Sequence, residues 1–288
     1  MSEAVRYYAP GSPSGVVVSA DTPLPIHSYA VMQALRQISD TYGDTALVKP
    51  KPLRKFGRNE AVSTARTTIM TLPTGIAAET LPTTNAITTM VSSSASDTQN
   101  LTLLEGHTVS GTDLTFTAST TATALTGLTG AALPVSLTRA TRARLASPAV
   151  GDIYFYEGGA VTSGVPNDLT TVHMMIPAGE IQTQKCSTAI SSQDYWIITS
   201  FTAGLLEKVG SWAQARIEIK PWTSPSTAFY PVTEWVAVSD ASGSRDLIKP
   251  GDPAVIVPPN HDVRVSSSAN TTGVDVVAGI SGWLALIQ

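Results

Sequence analysis

A run of eight residues in the second half of the chain alternates strictly between two kinds of side chain. Ala213, Ala215, Ile217 and Ile219 are small or apolar, and the residues between them are Gln214, Arg216, Glu218 and Lys220. Successive side chains of a β-strand point to opposite faces, so this period of two predicts a strand with one buried face and one face in water. The run therefore favours an antiparallel sheet with a solvated side.

Short runs rich in threonine and β-branched residues recur along most of the chain, and each is followed by a cluster of turn residues. These runs predict strands at 67–70, 86–91, 100–104, 113–117, 152–156, 171–176, 195–198, 234–238, 254–257, 262–266 and 274–286. The runs at 117–130 and 135–145 are open to more than one reading, a strand pair or a long loop in the first and a strand or a short helix in the second. The regular spacing, without helical periodicity between the strands, argues for stacked antiparallel sheets.

The predicted fold class is all-β, an antiparallel β-sandwich or jelly-roll-like core preceded by an extended N-terminal arm. The arm is predicted to cover residues 1–60 and the core residues 61–288, as one body or as two sub-domains dividing near 146–150. One short helix is predicted in the arm at about 29–39. There Ser28 can cap the N-terminus, and Gly43 supplies a stop.

The segment Lys49–Arg58 holds five of the 18 basic residues in ten positions, together with two prolines that keep it extended. It fits a solvated linker, an arm docking on an acidic neighbouring subunit, or a DNA contact. The docking alternative predicts a partner interface formed by Val31, Leu35, Ile38, Lys49, Lys51, Arg54, Lys55, Phe56 and Arg58.

Composition and charge restrict the classes of function. Charged residues make up 14% of the chain, against about 25% in an average protein, so hydroxyl groups must supply much of the surface polarity. The net charge of −4 provides no field that would attract nucleic acid or an anionic membrane. The N-terminus lacks the apolar core of a signal peptide, so we expect a soluble protein made in the cytosol.

The residues that could carry chemistry are scattered. The single cysteine, Cys186, excludes an intrachain disulfide, and the four histidines lie far apart without metal-ligand spacing. No Gly-x-Ser-x-Gly sequence marks a nucleophile elbow. The sequence therefore predicts no catalytic residue, no metal site and no cofactor.

Two alternatives remain open at this point. Carboxylates such as Glu157 with Asp152, or Glu218 with Glu234, could form the pair of a glycoside hydrolase if the fold brings them together. Exposed tryptophans could stack on sugar rings, and this second alternative predicts a solvent-exposed cluster drawn from Trp212, Trp222 and Trp235, whereas a structural protein would bury them.

Several segments, taken in order, resemble a family of tailed-bacteriophage virion structural proteins. The matching pieces are Lys55–Asn59, Val62–Thr64 with Ile69, Ile87–Thr98, Leu133–Arg144 before Gly151–Ile153, Ile176–Thr183, the strands around Arg216 and Pro221, and Asp262–Asp275 with the closing apolar strand. The resemblance covers roughly residues 52–288. The chain departs from the family pattern at Met70–Pro73 and before Ser191–Asp194.

This resemblance implies a structural subunit of a virion, made in the host cytoplasm and acting through subunit contacts, with no enzymatic activity and no cofactor. A capsid-associated cement or decoration protein is the leading hypothesis, and a head-to-tail connector or short-tail component is the alternative. A glycan-binding host-recognition module is the alternative from another class. The expected partners are a major capsid protein or tail and connector subunits together with further copies of the chain, without a membrane and without nucleic acid.

Overall fold

The computed structural model confirms an all-β protein. It describes residues 5–7, 16–18, 47–74, 76, 79–206, 210–223, 228–233, 236–239 and 250–287. Within these residues every strand pair is antiparallel, and the one helical element is a 3-10 turn at Leu169–Thr171. Strands β1 (Val5–Tyr7) and β2 (Val16–Val18) pair as a small sheet of their own. The helix predicted at about 29–39 lies outside the described residues.

Two sheets formed by the beginning and the end of the described chain face each other, and together they are called the terminal unit here. The first, the β3 sheet, has the strand order β20 (Pro250–Val257), β16 (Asp194–Leu206), β22 (Val274–Ile287), β3 (Leu47–Val62). The second sheet has the order β15 (Ser187–Ala189), β21 (His261–Ala269), β17 (Trp212–Pro221), β18 (Tyr230–Pro231), with β19 (Val236–Ser239) on β17 and β4 (Thr67–Thr68) on β21.

The chain between β4 and β15 forms two further sheets, called the inserted unit. One sheet has the order β14 (Val172–Ile176), β11 (Ile153–Tyr156), β5 (Ile87–Ser92), β9 (Ala131–Leu137). The other has the order β10 (Arg139–Leu145), β6 (Asn100–Ser110), β7 (Asp113–Ser119), with β8 (Thr123–Ala124) on β6. A small hairpin joins β12 (Val161–Thr162) to β13 (Val165–Pro166).

Each unit has its own apolar core between its two sheets. In the terminal unit Trp196 and Val276 of the β3 sheet pack with Ile217 and Val265 of the opposite sheet, all of them buried. In the inserted unit a second cluster includes Phe155 and Met174 from one sheet and Leu104 from the other. This arrangement is sandwich-like, because each sheet hides one face against its partner and leaves the other for different contacts.

The alternating run at residues 213–220 forms β17. Its apolar positions face the terminal core, as predicted, with Ala215 and Ile217 buried and Ile219 partly buried. Its polar positions are not uniformly in water, because Glu218 has no exposed surface and Lys220 is 7% exposed. Arg216 of the same strand and Arg66 and Arg264 from other segments pair with Glu218, which explains why a simple period of two misjudged this face.

Residues 47–60, assigned to the arm from sequence, belong to a core strand of the same chain. Strand β3 is 16 residues long and pairs with β22 from Leu47↔Ile287 to Val62↔Val274. The proposed boundary at residue 60 falls inside this strand. Prolines and positive charges made the segment look like a linker, yet both are tolerated in a strand at the edge of a sheet.

The alternative division near residues 146–150 falls in a loop between β10 and β11. Leu145 before this loop and Ile153 after it belong to the same core cluster. The chain passes from the terminal unit to the inserted unit between β4 and β5, and it returns to the terminal unit between β14 and β15. The inserted unit is therefore carried on two connections from the terminal unit.

Candidate interaction surface

The outer face of the β3 sheet brings together most of the described residues that the sequence singled out. In β3 every second residue points away from the terminal core, and these residues include Arg54, Phe56 and Arg58. Phe56 is 54% exposed and is one of the few large apolar side chains that the described structure leaves in solvent. We call this side of the sheet the Phe56 face.

Neighbouring strands complete the face through their register. Phe56 lies beside Gly279 of β22, which in turn lies beside Thr202 of β16. One row further, Arg54 lies beside Ser281, and Ser281 lies beside Ser200. Beyond that row Trp283, 36% exposed, lies beside Pro52. Phe56 in the first row and Trp283 beyond the second therefore lie beside the small or hydroxylated residues of β22 and β16.

A shallow groove runs between these rows. It has a volume of about 290 Å³ and is lined by Arg54, Lys55, Phe56, Ser200, Thr202, Gly279, Ile280 and Ser281. A side chain at position 279 would meet the Thr202 hydroxyl at 2.9 Å, so glycine keeps the floor of the groove low. The Thr202 hydroxyl donates to the Gly279 carbonyl over 3.3 Å, which fixes that side chain against the floor.

Charge on the Phe56 face is distributed unevenly. Arg58 binds Asp275 through two nitrogens, at 3.0 Å and 2.6 Å from Oδ2, and its Nη2 lies 3.1 Å from Glu60 Oε1. The Glu60 side chain is 64% exposed. Arg54 forms no ion pair with any residue that the structure describes, so the groove carries one unneutralised positive charge at its edge.

The predicted interface residues separate into three groups. Arg54, Phe56 and Arg58 share the Phe56 face, and Lys51 is exposed near the start of the same strand. Lys49 lies in β3, and its side chain is outside the description, as are Val31, Leu35 and Ile38. Lys55 points the opposite way, since its ammonium group is buried and reaches the Thr141 carbonyl at 3.4 Å.

Lys55 belongs to a buried polar contact between the two units, called the seam. In the seam Arg139 of the inserted unit binds Asp262 of the terminal unit at 2.6 Å and 3.0 Å. Lys185 Nζ lies 2.6 Å from Glu79 Oε1 and donates to the carbonyls of Ala140 and His173. Arg139 and Asp262 pair with each other, as do Lys185 and Glu79, so these four buried ions leave little unpaired charge at the seam.

Burial shifts the ionisation of the seam residues. Loss of hydration lowers the pKa of Lys55 to about 8, although nearby Glu105 opposes this shift. Burial also lowers the pKa of His107 to about 3, with further contributions from the charges of Lys55 and Arg139. Burial raises the pKa of the Cys186 thiol, which is fully enclosed and therefore suits a packing role.

The carboxylates considered for glycoside hydrolysis have structural partners. Glu218 has three guanidinium groups within ion-pair distance, those of Arg66, Arg216 and Arg264. Glu157 lies 2.9 Å from His173 Nε2. Asp152 accepts the backbone N–H of Ala178 at 3.0 Å, and Glu234 lies outside the described residues.

The tryptophan cluster predicted by the glycan-binding alternative does not form as a whole. Trp222 is buried, and its Nε1 donates to the Thr112 carbonyl at the contact between the units. Trp212 is 44% exposed, while Trp235 lies outside the described residues. Trp283 was not part of the predicted cluster, and its position beside Pro52 depends on the pairing of two strands more than 200 residues apart.

No group of three or more metal-ligating side chains is found in the described part of the chain. Within the same residues no helix has the length and apolarity that crossing a bilayer would need. No family model, curated protein or solved structure matches the chain.

Proposed function

We propose that this protein is a structural subunit of a bacteriophage virion that attaches to its neighbours through the Phe56 face. The observation that carries the proposal is the pair of exposed aromatic residues, Phe56 and Trp283, on one face of a well-packed sheet. Aromatic residues and arginine are the types that most often dominate the binding free energy of protein interfaces, and Arg54 lies between these two. The resemblance of residues 52–288 to virion proteins supports the same assignment.

The architecture suits a particle subunit for a second reason. Two sandwich-like units are joined by a buried ion pair between Arg139 and Asp262, so they can offer one body to neighbouring subunits. Many copies, each making a modest contact, would reach strong overall attachment through symmetry and multivalency. Within the virion, a capsid-bound cement or decoration role is the leading proposal, and a head-to-tail or short-tail role is the alternative.

Mass spectrometry and cryo-electron microscopy of purified virions test this proposal. The chain is expected in washed particles, bound to the capsid in numbers that scale with capsid area. A single ring of copies at one vertex would instead support the connector alternative. Absence of the chain from particles, while it accumulates in the infected cell, would overturn the assignment.

A charge-bearing variant tests the surface that carries the proposal. Phe56→Asp should fold normally, because its side chain is outside the core, yet should be lost from particles. Phe116→Asp is the matched control, since Phe116 is similarly exposed, at 49%, on the inserted unit. Equal incorporation of the two variants would show that the Phe56 face is not the attachment surface.

A further inference from the structure

The outward residues of β3 read as a sequence that is complementary to itself. In chain order they are Arg54, Phe56, Arg58 and Glu60, and the Arg58–Glu60 ion pair places Glu60 on the same face as the rest. Turning this strand end for end about Gly57 exchanges position 54 with position 60 and position 56 with position 58. A positive charge then meets a negative charge, and an aromatic ring meets a guanidinium group.

We propose that the first partner of the Phe56 face is a second copy of this chain, packed face to face about a two-fold axis. The axis lies between the two sheets, perpendicular to their strands, and passes over Gly57. In such an isologous contact each residue pair occurs twice. The inference rests on the proposed function only in taking this face as a subunit contact.

Charge complementarity supports this occupant. Arg54 has no ion-pair partner among the described residues, and the Glu60 side chain, whose Oε1 lies 3.1 Å from Arg58 Nη2, is 64% exposed. In the dimer each Arg54 meets Glu60 of the other copy. Two copies thus pair the Arg54 charge, which has no ion-pair partner within the described part of one copy.

The shape of the face supports the same arrangement. Gly279 lies beside Phe56, and Val277 lies beside Arg58, so the reversal about Gly57 also places Val277 of one copy over Gly279 of the other. A side chain thereby fills the groove of about 290 Å³ whose floor is lowered by the glycine. Phe56 comes to lie against the partner's Arg58 guanidinium, a geometry that favours a cation–π contact.

Edge-to-edge pairing of β3 is a poorer alternative. Pro50 and Pro52 have no N–H to donate to an added strand. Near Phe56 the strand also makes an isolated bridge to Lys185, which occupies part of its edge. The face is therefore the more available surface for a second copy.

Analytical ultracentrifugation of the whole chain across a dilution series tests the dimer. The wild-type protein is expected to dimerise reversibly. Arg54→Glu and Glu60→Arg should each raise the dimer dissociation constant about tenfold or more, because each places like charges opposite one another. The double variant Arg54→Glu/Glu60→Arg restores opposite charges and should recover most of the lost affinity.

Controls make the outcomes decisive. Arg144→Glu changes the same type of charge on the inserted unit and should leave the dissociation constant unchanged, and thermal melts should show all variants folded. A monomer at every concentration overturns the inference, and so does a dimer insensitive to both single variants or not rescued by the double variant. A charge-dependent dimer that is absent from virions would overturn the proposed function and leave this inference in place.

Discussion

His107 is a neutral histidine confined between positive charges. It is 3% exposed, its Nδ1 has no hydrogen-bond partner among the described residues, and its ring contacts Phe116 edge to face. Its pKa falls from 6.5 to about 3, because burial and then Lys55 and Arg139 oppose a charge on the ring. The native state thus keeps His107 unprotonated over a pH range in which the unfolded chain binds a proton at this residue.

The buried neutral His107 makes the free energy of unfolding depend on pH. Between about pH 6.5 and 3 the unfolded state carries the extra proton, so the free energy of unfolding should fall as the pH falls through this window. The contribution of one such group approaches about 1.4 kcal/mol per pH unit. His107→Gln should remove this part of the slope in urea titrations at several pH values, and equal slopes for both proteins would contradict the prediction.

Asp97 provides a second test at the residue scale. Its carboxylate is fully buried and accepts hydrogen bonds from the Ser92 hydroxyl at 2.5 Å, from the backbone N–H groups of Val150 and Gly151, and from the Gln99 amide. Asp97→Ala leaves these donors unsatisfied and should lower the free energy of unfolding by about 3 kcal/mol in urea titrations. Asp97→Asn keeps one acceptor oxygen and should lower the free energy of unfolding less than Asp97→Ala does. A larger loss for Asp97→Asn would contradict the explanation by unsatisfied donors.

At the scale of elements, β3 shows how an edge strand can be protected from pairing with a strand of another molecule. This strand of 16 residues pairs on one side with β22, and its other edge is covered near Phe56 by an isolated bridge to Lys185. Proline and basic residues near its start oppose the addition of another strand. Pro52→Thr restores an N–H and a good strand former, so we expect more high-order association by light scattering while the melting temperature changes little.

A second edge strand tests whether the protective effect of proline is general. Pro134→Thr makes the same exchange in β9, which also lies at the edge of its sheet, and should show whether proline is protective in strands of this protein generally. Unchanged scattering for Pro52→Thr at all concentrations would show that the proline does not guard the edge.

Strand positions were accessible from the sequence, but pairing was not. The runs at 195–198, 262–266 and 274–286 were found because β-branched residues and alternation are local properties, although β16 extends eight residues beyond the first run. The segment 49–58 was misassigned because an edge strand can carry the charges and prolines of a linker. The groove was missed because Phe56, Thr202 and Gly279 meet only through register.

At the scale of the whole molecule, the seam determines whether the two units behave as one. Arg139 and Asp262 are both nearly inaccessible, and each would be an unpaired buried ion without the other. Arg139→Met should lower the free energy of unfolding by about 3–5 kcal/mol. The double variant Arg139→Met/Asp262→Leu should cost less than the single one, because no buried charge remains alone.

Calorimetry distinguishes the effect of an unpaired Asp262 charge from that of a general packing defect. The single variant is expected to melt at a lower temperature than the double variant, and with a broader transition as the units begin to unfold separately. A double variant at least as unstable as Arg139→Met would show that side-chain packing, and not the unpaired Asp262 charge, dominates the loss.

The position of β3 also predicts where the chain can be shortened. Val62 is fully buried, Gly57 approaches the Ile69 carbonyl so closely that no side chain fits, and Arg58 anchors Asp275 of β22. Removing residues 1–46 leaves all of β3 in place, so the shortened protein should keep the strand-type circular dichroism and melting temperature of the full chain. Removing residues 1–62 exposes β22 along its length and opens the terminal core at Val62, so this protein should aggregate or unfold. A stable, soluble product of the longer deletion would mean that β3 is an accessory strand and that the body of the protein begins after it, as the sequence alone had indicated.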